Sequence, residues 1–308
     1  MSVYVYPTDL KWFRFLQHRS PLDEVNFWQP GGSTEFRALQ PGDLFLFRLK
    51  SPINMIAGGG IFATSSLYPL SGAWDAFEEK NGVASFAALF DAINRYRIKN
   101  GSSPASADTP IGCIVLTQPF FLPEQDWIAT PADYHLSLVQ GKRFGRDTES
   151  GALLHTWGTL HAGQSNRRRV AELTVPMFGD PVLIRPRLGQ GAFRLVVSDA
   201  YAKRCAVTGE KTLPVLEAAH IKPVAHGGEH RVDNGLLLRS DLHKLFDLGY
   251  ATVTPDGAFR VSGKLRETWL NGRIYYDLDS VIVRRPSKAD QFPSRDLLEW
   301  HNDTIFRG

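Results

Sequence analysis

The stretch LEAAHIKPVAHGGEHRVDNGLLLRSDLHKLFD, residues 216–247, constrains the fold more tightly than any other part of the chain, and it gathers four of the nine histidines. PVLEAAHI reads as a strand running into a loop that contains Gly227 and Gly228, and GLLLR reads as the returning strand. SDLHKLFDLG reads as a short helix, capped by Ser240 or Asp241 and stopped by Gly249. One hairpin and one helix can therefore present His220 and His243 to a common point. Asp247 lies four residues beyond His243 and so faces the same side of that helix. Asn234, just before Gly235, can tie the loop with its amide. Two plainer readings compete: surface histidines on an ordinary hairpin and helix, or a zinc site built from His220, His226, His230 and His243. The four lack the paired spacing of zinc fingers, and AHGGEH reads as an exposed loop with His226 and His230 in solvent.

The remaining composition frames this motif. A chain of 308 residues, 43% hydrophobic and 22% charged, is a globular chain long enough for two cores. No run approaches the roughly 18 apolar residues of a membrane span, and MSVYVYPTDLKWF has no basic region ahead of a cleavable apolar segment. A cytoplasmic location is expected. Cys113 and Cys205 are too few for a disulfide framework or a four-cysteine zinc site, and both read as buried small residues.

Charge is unevenly divided. Residues 1–160 hold 13 Lys and Arg against 15 Asp and Glu, whereas the remainder holds 22 against 17. Part of the basic excess sits in NRRRV (166–170) and in IRPRLGQGAFR (184–194), where Arg185, Arg187 and Arg194 recur without helical periodicity. Guanidinium forks so placed can lie against phosphates; the segment can equally be a solvated linker. The mixture of Gly, Pro, Ser and charge there predicts a linker over 161–190 between domains at 1–160 and 191–308.

In the first domain GDLFLFRLK, GGGIFATSSLY and IGCIVLTQPFFL read as strands. PTDLKWFRFLQ and GVASFAALFDAINRYRIKNG read as helices, which predicts an α+β domain on a curled sheet. NFWQPGG sets Phe27 and Trp28 in a turn-rich segment, MIAGGGIF puts three glycines where a strand begins, and LVQGKRFG offers Lys142 and Arg143 on a polar loop. An aromatic wall, close backbone approach and a basic loop would suit a flipped nucleobase; each also has an ordinary packing explanation.

RCAVTGEKTLPVLEAAHIKPVAHGGEHRVDNGLLLRSDLHKLFDLGYATVTPDG, residues 204–257, resembles the HNH, or ββα-metal, nuclease family. EVNFWQPGGSTEFRALQPGDLFLFRLKSPINMIAGGGIF, IGCIVLTQPFF and LVQGKRFG resemble the N-terminal region of bacterial HNH restriction endonucleases. Their strand order is similar to that of the PUA superfamily, which includes the EVE and SRA readers of modified bases. The resemblance implies a PUA-like domain joined to an HNH domain that hydrolyses DNA with a divalent ion, Mg²⁺ first and Mn²⁺ as substitute. His220, Asn234 and His243 match its signature positions.

Residue chemistry agrees with that implication. Imidazole suits a general base near neutral pH, so His220 is expected to take the proton of the attacking water. His243 is expected to hold the metal with Asp247, while Asn234 orients His220. Two departures stand out. Many HNH enzymes carry a metal-ligating Asp or His immediately before the base, where this chain has Ala219, so Asp247, Glu217 or water must fill the place. Many also surround a structural zinc with paired CxxC motifs, of which only Cys205 remains, so no structural zinc is expected. The combination suggests a modification-dependent restriction enzyme acting on double-stranded DNA with a flipped base such as 5-methylcytosine or 5-hydroxymethylcytosine. Two chains, or two successive nicks, would cut both strands. An HNH enzyme indifferent to modification and a nucleic-acid-binding module with an inactive HNH domain remain as alternatives, the latter favoured by Ala219.

Overall fold

Alternation of large apolar side chains builds the first of two compact units, Met1–Ala192 and Phe193–Gly308. The computed structural model describes residues 2–170 and 188–308, with the side chains of 164–170 excepted. Strands β1 (Val3–Thr8), β2 (Glu24–Gln29), β3 (Leu44–Leu49), β4 (Met55–Pro69), β5 (Pro110–Phe121), β6 (Ile128–Ala129) and β7 (Lys142–Phe144) form one mixed sheet. The order is β2-β5-β4-β3-β1-β7, with β6 on β4 and with β1 and β3 parallel. Every residue of β3 is buried. Leu44 and Leu46 point to a core shared with Val3, Val5 and Leu154, whereas Phe45, Phe47 and Leu49 point to another containing Trp12, Phe13 and Leu16. Period-two alternation with both faces apolar thus lets helices cover both sides.

Those helices are α1 (Leu10–Gln17), α2 (Leu70–Phe77), α3 (Phe86–Lys99) and α4 (Glu149–Val170). The carboxylate of Asp9 accepts from the Lys11 N–H at the start of α1, and Ser85 caps α3 by accepting from the Ala88 N–H. Helix α4 passes unbroken through residue 160, so the chain does not become an irregular linker there. No helix among the described residues is long and apolar enough to cross a membrane.

The glycine triplet lies inside β4 rather than at its start. A Cβ on Gly58 would come 2.3 Å from the Phe120 carbonyl oxygen, and one on Gly59 would come 2.6 Å from that of Phe45. Irregular register between Gly59 and Ile61, and again between Phe62 and Thr64, accompanies the triplet. These glycines serve strand-to-strand approach, which leaves no need for a ligand to explain them. The sheet curls enough for Phe27, on the β2 edge, to sit 4.9 Å from Tyr6 on β1 and 5.0 Å from Phe45 on β3.

That curl corrects the expected base-binding wall. Phe27 belongs to a strand and is buried among aromatic rings. Trp28 is half-buried, its indole N–H donating to the Asn81 carbonyl at 2.9 Å. Lys142 and Arg143 form a strand rather than a loop; Lys142 bonds Asp133, while the exposed Arg143 donates to Ser2 Oγ. Arg194 also departs from expectation, because Gln190–Ala200 is a helix, α5, and its half-buried side chain leaves Nε without a hydrogen-bond partner. Arg185 and Arg187 lie outside the described residues, as do the side chains of NRRRV.

The second unit contains β8 (Leu216–His220), β9 (Gly235–Arg239), α6 (Ser240–Asp247), the hairpin β10 (Ala251–Val253) and β11 (Phe259–Val261), then α7 (Lys264–Trp269), α8 (Arg273–Tyr276) and α9 (Arg295–Thr304). Strands β8 and β9 pair antiparallel, with His220 opposite Gly235. The core joins Phe193, Val197, Leu236, Leu238, Leu242, Phe246, Phe259 and Leu298, and includes Cys205. Helix α6 begins without a side-chain cap, because Asp241 pairs with Arg239 at 2.7 Å, and it stops at Gly249 with a φ of +75°.

His301, whose polarity alone argues for the surface, is buried under this core, and Trp300 is half-buried. His301 stacks on Phe246 at 3.7 Å, donates from Nε2 to the Phe246 carbonyl, and accepts at Nδ1 from the Thr252 hydroxyl. Both nitrogens are thus used by the neutral ring, and burial pushes its pKa down to about 4. The folded state therefore binds fewer protons than the unfolded one between the ordinary value of 6.5 and about 4, so stability falls as pH falls through that window. Urea midpoints for unfolding of the second unit are expected to drop between pH 7 and pH 4, and His301→Gln should flatten the slope.

Candidate active site

Three local devices bring the histidine-rich segment together. Strand β8 ends on His220, and the return strand opens on Gly235 directly across from it. A Cβ on Gly235 would come 2.5 Å from Val197 and 3.1 Å from the Phe193 ring, so glycine there leaves room for α5 to pack beneath the hairpin end. Phe193 uses that room to stack on His220, with ring centres 3.9 Å apart and planes 11° from parallel. The stack fixes the plane of the imidazole.

Asn234 is the second device. It is buried, and its Oδ1 accepts from the Lys222 N–H at 2.8 Å. Its Nδ2 donates to the carbonyls of Lys222 at 3.0 Å and Glu229 at 2.8 Å, and the Ile221 N–H donates to its backbone carbonyl. One amide thus closes both ends of the loop between the strands.

The closed loop produces a contact that the sequence does not announce. His230 lies with Nδ1 2.9 Å from Nε2 of His220, where the sequence predicts an exposed loop histidine. Its position four residues before Asn234 is the one clue in the sequence; Phe193, 27 positions before His220, carries none. His226 is exposed as expected, its ring 5.5 Å from Trp300. Burial first, then the neighbouring His230 and His243, push the His220 pKa down to about 4. The ring is therefore neutral at pH 7.

Helix α6 is the third device. It carries His243 and Asp247 on one side, with Nε2 3.3 Å from the Asp247 carboxylate. On its other nitrogen, His243 donates from Nδ1 to Glu217 of β8 at 2.6 Å. Burial raises the Asp247 pKa, against the opposing pull of His243 and Lys244. With the Nδ1 proton committed to Glu217, a ring lone pair faces a carboxylate oxygen, and that pairing calls for a cation or a second proton between them.

Among the described residues, no group of three or more His, Cys, Asp or Glu side chains is arranged to hold a metal ion. The His243 and Asp247 pair nevertheless fits, in donor chemistry, a divalent ion that keeps several waters and takes its remaining oxygens from phosphate. Lys222 and His226 border the half-buried Trp300 on the same loop, with the Lys222 ammonium 5.1 Å from the indole.

Residues 205–254 match the HNH endonuclease family model. The matched segment covers β8, β9 and α6 with Glu217, His220, His230, Asn234, His243 and Asp247, and leaves out Phe193, Val197 and Trp300; HNH endonucleases cleave DNA with a divalent metal ion. No curated protein matches the chain. Solved structures with similarity include a modification dependent TagI restriction endonuclease, 14% identical with a TM-score of 0.29 over 92% of this chain and 75% of that one, and a type IV phosphorothioation-dependent restriction endonuclease, ScoMcrA, 14% identical with a TM-score of 0.17 over 73% and 48%. Neither likeness is close enough to fix a fold or a substrate.

Proposed function

We propose that the protein is a restriction endonuclease in which the HNH unit cuts double-stranded DNA and the first unit selects it by a modified base such as 5-methylcytosine or 5-hydroxymethylcytosine. The observation that carries the cutting role is the His220 imidazole, held in plane by Phe193 and accompanied on the same ββα unit by the His243 and Asp247 pair. The selecting role rests on the resemblance of the first unit to PUA-like readers, and Arg143 is its exposed basic contact.

In this reading His220 accepts the proton of the water that attacks phosphorus. A base with a pKa near 4 is wholly unprotonated at pH 7 but weak, and the negative phosphodiester favours the imidazolium once bound, which strengthens it where it is needed. Asn234 keeps the loop closed so that the imidazole does not swing away. His243 and Asp247 would hold a divalent ion, most simply Mg²⁺, and Glu217 sets which nitrogen of His243 carries its proton. That ion would stabilise charge on the phosphate and on the departing oxygen. The P–O3′ bond breaks, and the departing 3′-oxygen takes a proton from solvent to leave as a hydroxyl, with phosphate retained on the 5′ side. With one such centre among the described residues of a chain, cutting both strands takes two chains or two successive nicks.

Matched plasmids, unmodified or carrying 5-methylcytosine, 5-hydroxymethylcytosine or N6-methyladenine, test the reading when incubated with Mg²⁺ or Mn²⁺. Cutting confined to one modified plasmid is expected, with nicked circles preceding linear product. Equal cutting of all would remove the modified-base role and keep the HNH chemistry. No cutting of any would favour a binding module, with Ala219 as the reason.

A further inference from the structure

The contact between two imidazoles has a chemical consequence beyond catalysis by a lone histidine. A hydrogen bond between neutral rings needs one proton and one lone pair across the 2.9 Å gap. If His230 Nδ1 donated, His220 would carry its own proton on Nδ1, and both of its nitrogens would be engaged. It could then accept nothing from water. If His220 Nε2 donates instead, Nδ1 of His220 is left with a free lone pair.

We propose that His230 is a positioning residue for cleavage: its Nδ1 accepts from His220 Nε2 and thereby holds His220 in the tautomer whose Nδ1 takes the proton from water. The role rests on reading His220 as the general base. Two features place His230 for it. Asn234 Nδ2 holds the carbonyl of Glu229, the residue immediately before His230, so the amide that closes the loop also delivers the second imidazole. Phe193 lies 3.9 Å from the His220 ring and 5.6 Å from that of His230, so one aromatic surface supports both. The groups facing His220 are thus His230 from the loop, Phe193 from α5 and, at longer range, His243 from α6.

Water gives one proton to His220 Nδ1 as its oxygen bonds phosphorus and the P–O3′ bond breaks, the departing 3′-oxygen taking its proton from solvent. The His220 ring becomes an imidazolium whose Nε2–H still points at His230. The bond becomes charge-assisted at that moment, so it strengthens as the proton is taken. This is the arrangement of a base oriented by a third group, with imidazole in the place more often held by a carboxylate or carbonyl.

The test uses the full-length protein in three forms: wild type, His230→Leu, which removes the acceptor, and His230→Asn, whose side-chain oxygen can accept from near the Nδ1 position. Under single-turnover conditions with Mg²⁺ and a plasmid the wild type cuts, His230→Leu is expected to lower the cleavage rate about 100-fold. Affinity for the same DNA should stay within about twofold, and His230→Asn should recover to within about tenfold of wild type. Nitrogen-15 spectra of the wild-type histidines, with His220 assigned from the spectrum of His220→Ala, should show the proton on Nε2.

A proton on Nδ1 of His220, or wild-type cutting by both His230 variants, would overturn the proposal. Should His230→Leu fail to fold, His230→Asn and the wild-type spectrum decide the matter. If instead His220→Ala itself cuts normally, the base assignment fails, an outcome distinct from failure of the His230 role.

Discussion

His220→Ala is expected to reduce DNA cleavage by about 10²- to 10⁴-fold, the usual worth of a positioned general base, while the protein still binds DNA. Three observations combine in that expectation. The imidazole is neutral at working pH, its plane is held against Phe193 at 3.9 Å, and its Nε2 is engaged by His230, so little reorganisation precedes proton transfer. Removing the ring would take away the proposed proton acceptor and leave a space lined by Phe193 and His230. Added imidazole is therefore expected to restore part of the lost rate. Binding and cleavage measured on the same DNA separate the effect from misfolding: loss of both together would point to structure rather than to chemistry. Undiminished cutting would sink His220 as base.

The largest expected effect on stability lies in the first unit. Gly58→Val should destabilise that unit by about 3 kcal/mol or more, beyond the ordinary range for overpacking, because the obstruction is backbone rather than a movable side chain. The Cβ would come 2.3 Å from the Phe120 carbonyl oxygen, and Gly58 lies on β4 between β3 and β5 at the middle of the sheet. Gly31, where a Cβ meets nothing within 4 Å, supplies the control: Gly31→Ala should change stability by less than about 0.5 kcal/mol. Thermal unfolding of both variants, followed by near-ultraviolet signals from the aromatic core, gives the comparison. Equal stability of Gly58→Val and wild type would mean that the strands do not approach as described.

Much of the second unit is legible from residue order, because its motif is local. Strand, loop, strand and helix follow one another within 32 residues, each with its own punctuation: Asn234 and Gly235 at the return, Gly249 at the stop. The i, i+4 spacing of His243 and Asp247 is enough to put them on one helical side, where they lie 3.3 Å apart. The cap expected from Ser240 or Asp241 does not form, since the nearby Arg239 competes for the Asp241 carboxylate and wins at 2.7 Å. His301 departs from expectation for a related reason. Polarity argues for solvent, but a neutral imidazole with a hydroxyl donor and a carbonyl acceptor in reach can be buried on Phe246.

The first unit is legible as elements and not as a site. Its strands and capped helices follow from period, β-branching and cap residues, all local properties. Phe27 cannot be assigned to a core or a pocket in this way, because what covers it comes from β1 and β3, which lie on the far side of β5 and β4 in the sheet order. Residue order by itself determined the ββα motif, the pairing of His243 with Asp247 and the elements around them, since each depends on neighbours within a few turns of chain. Only tertiary structure decided that Phe27 is core, that Phe193 lies flat on His220 and that His230 meets it at 2.9 Å. Those contacts depend on how distant segments close on one another, and no periodicity along the chain encodes a distance through space.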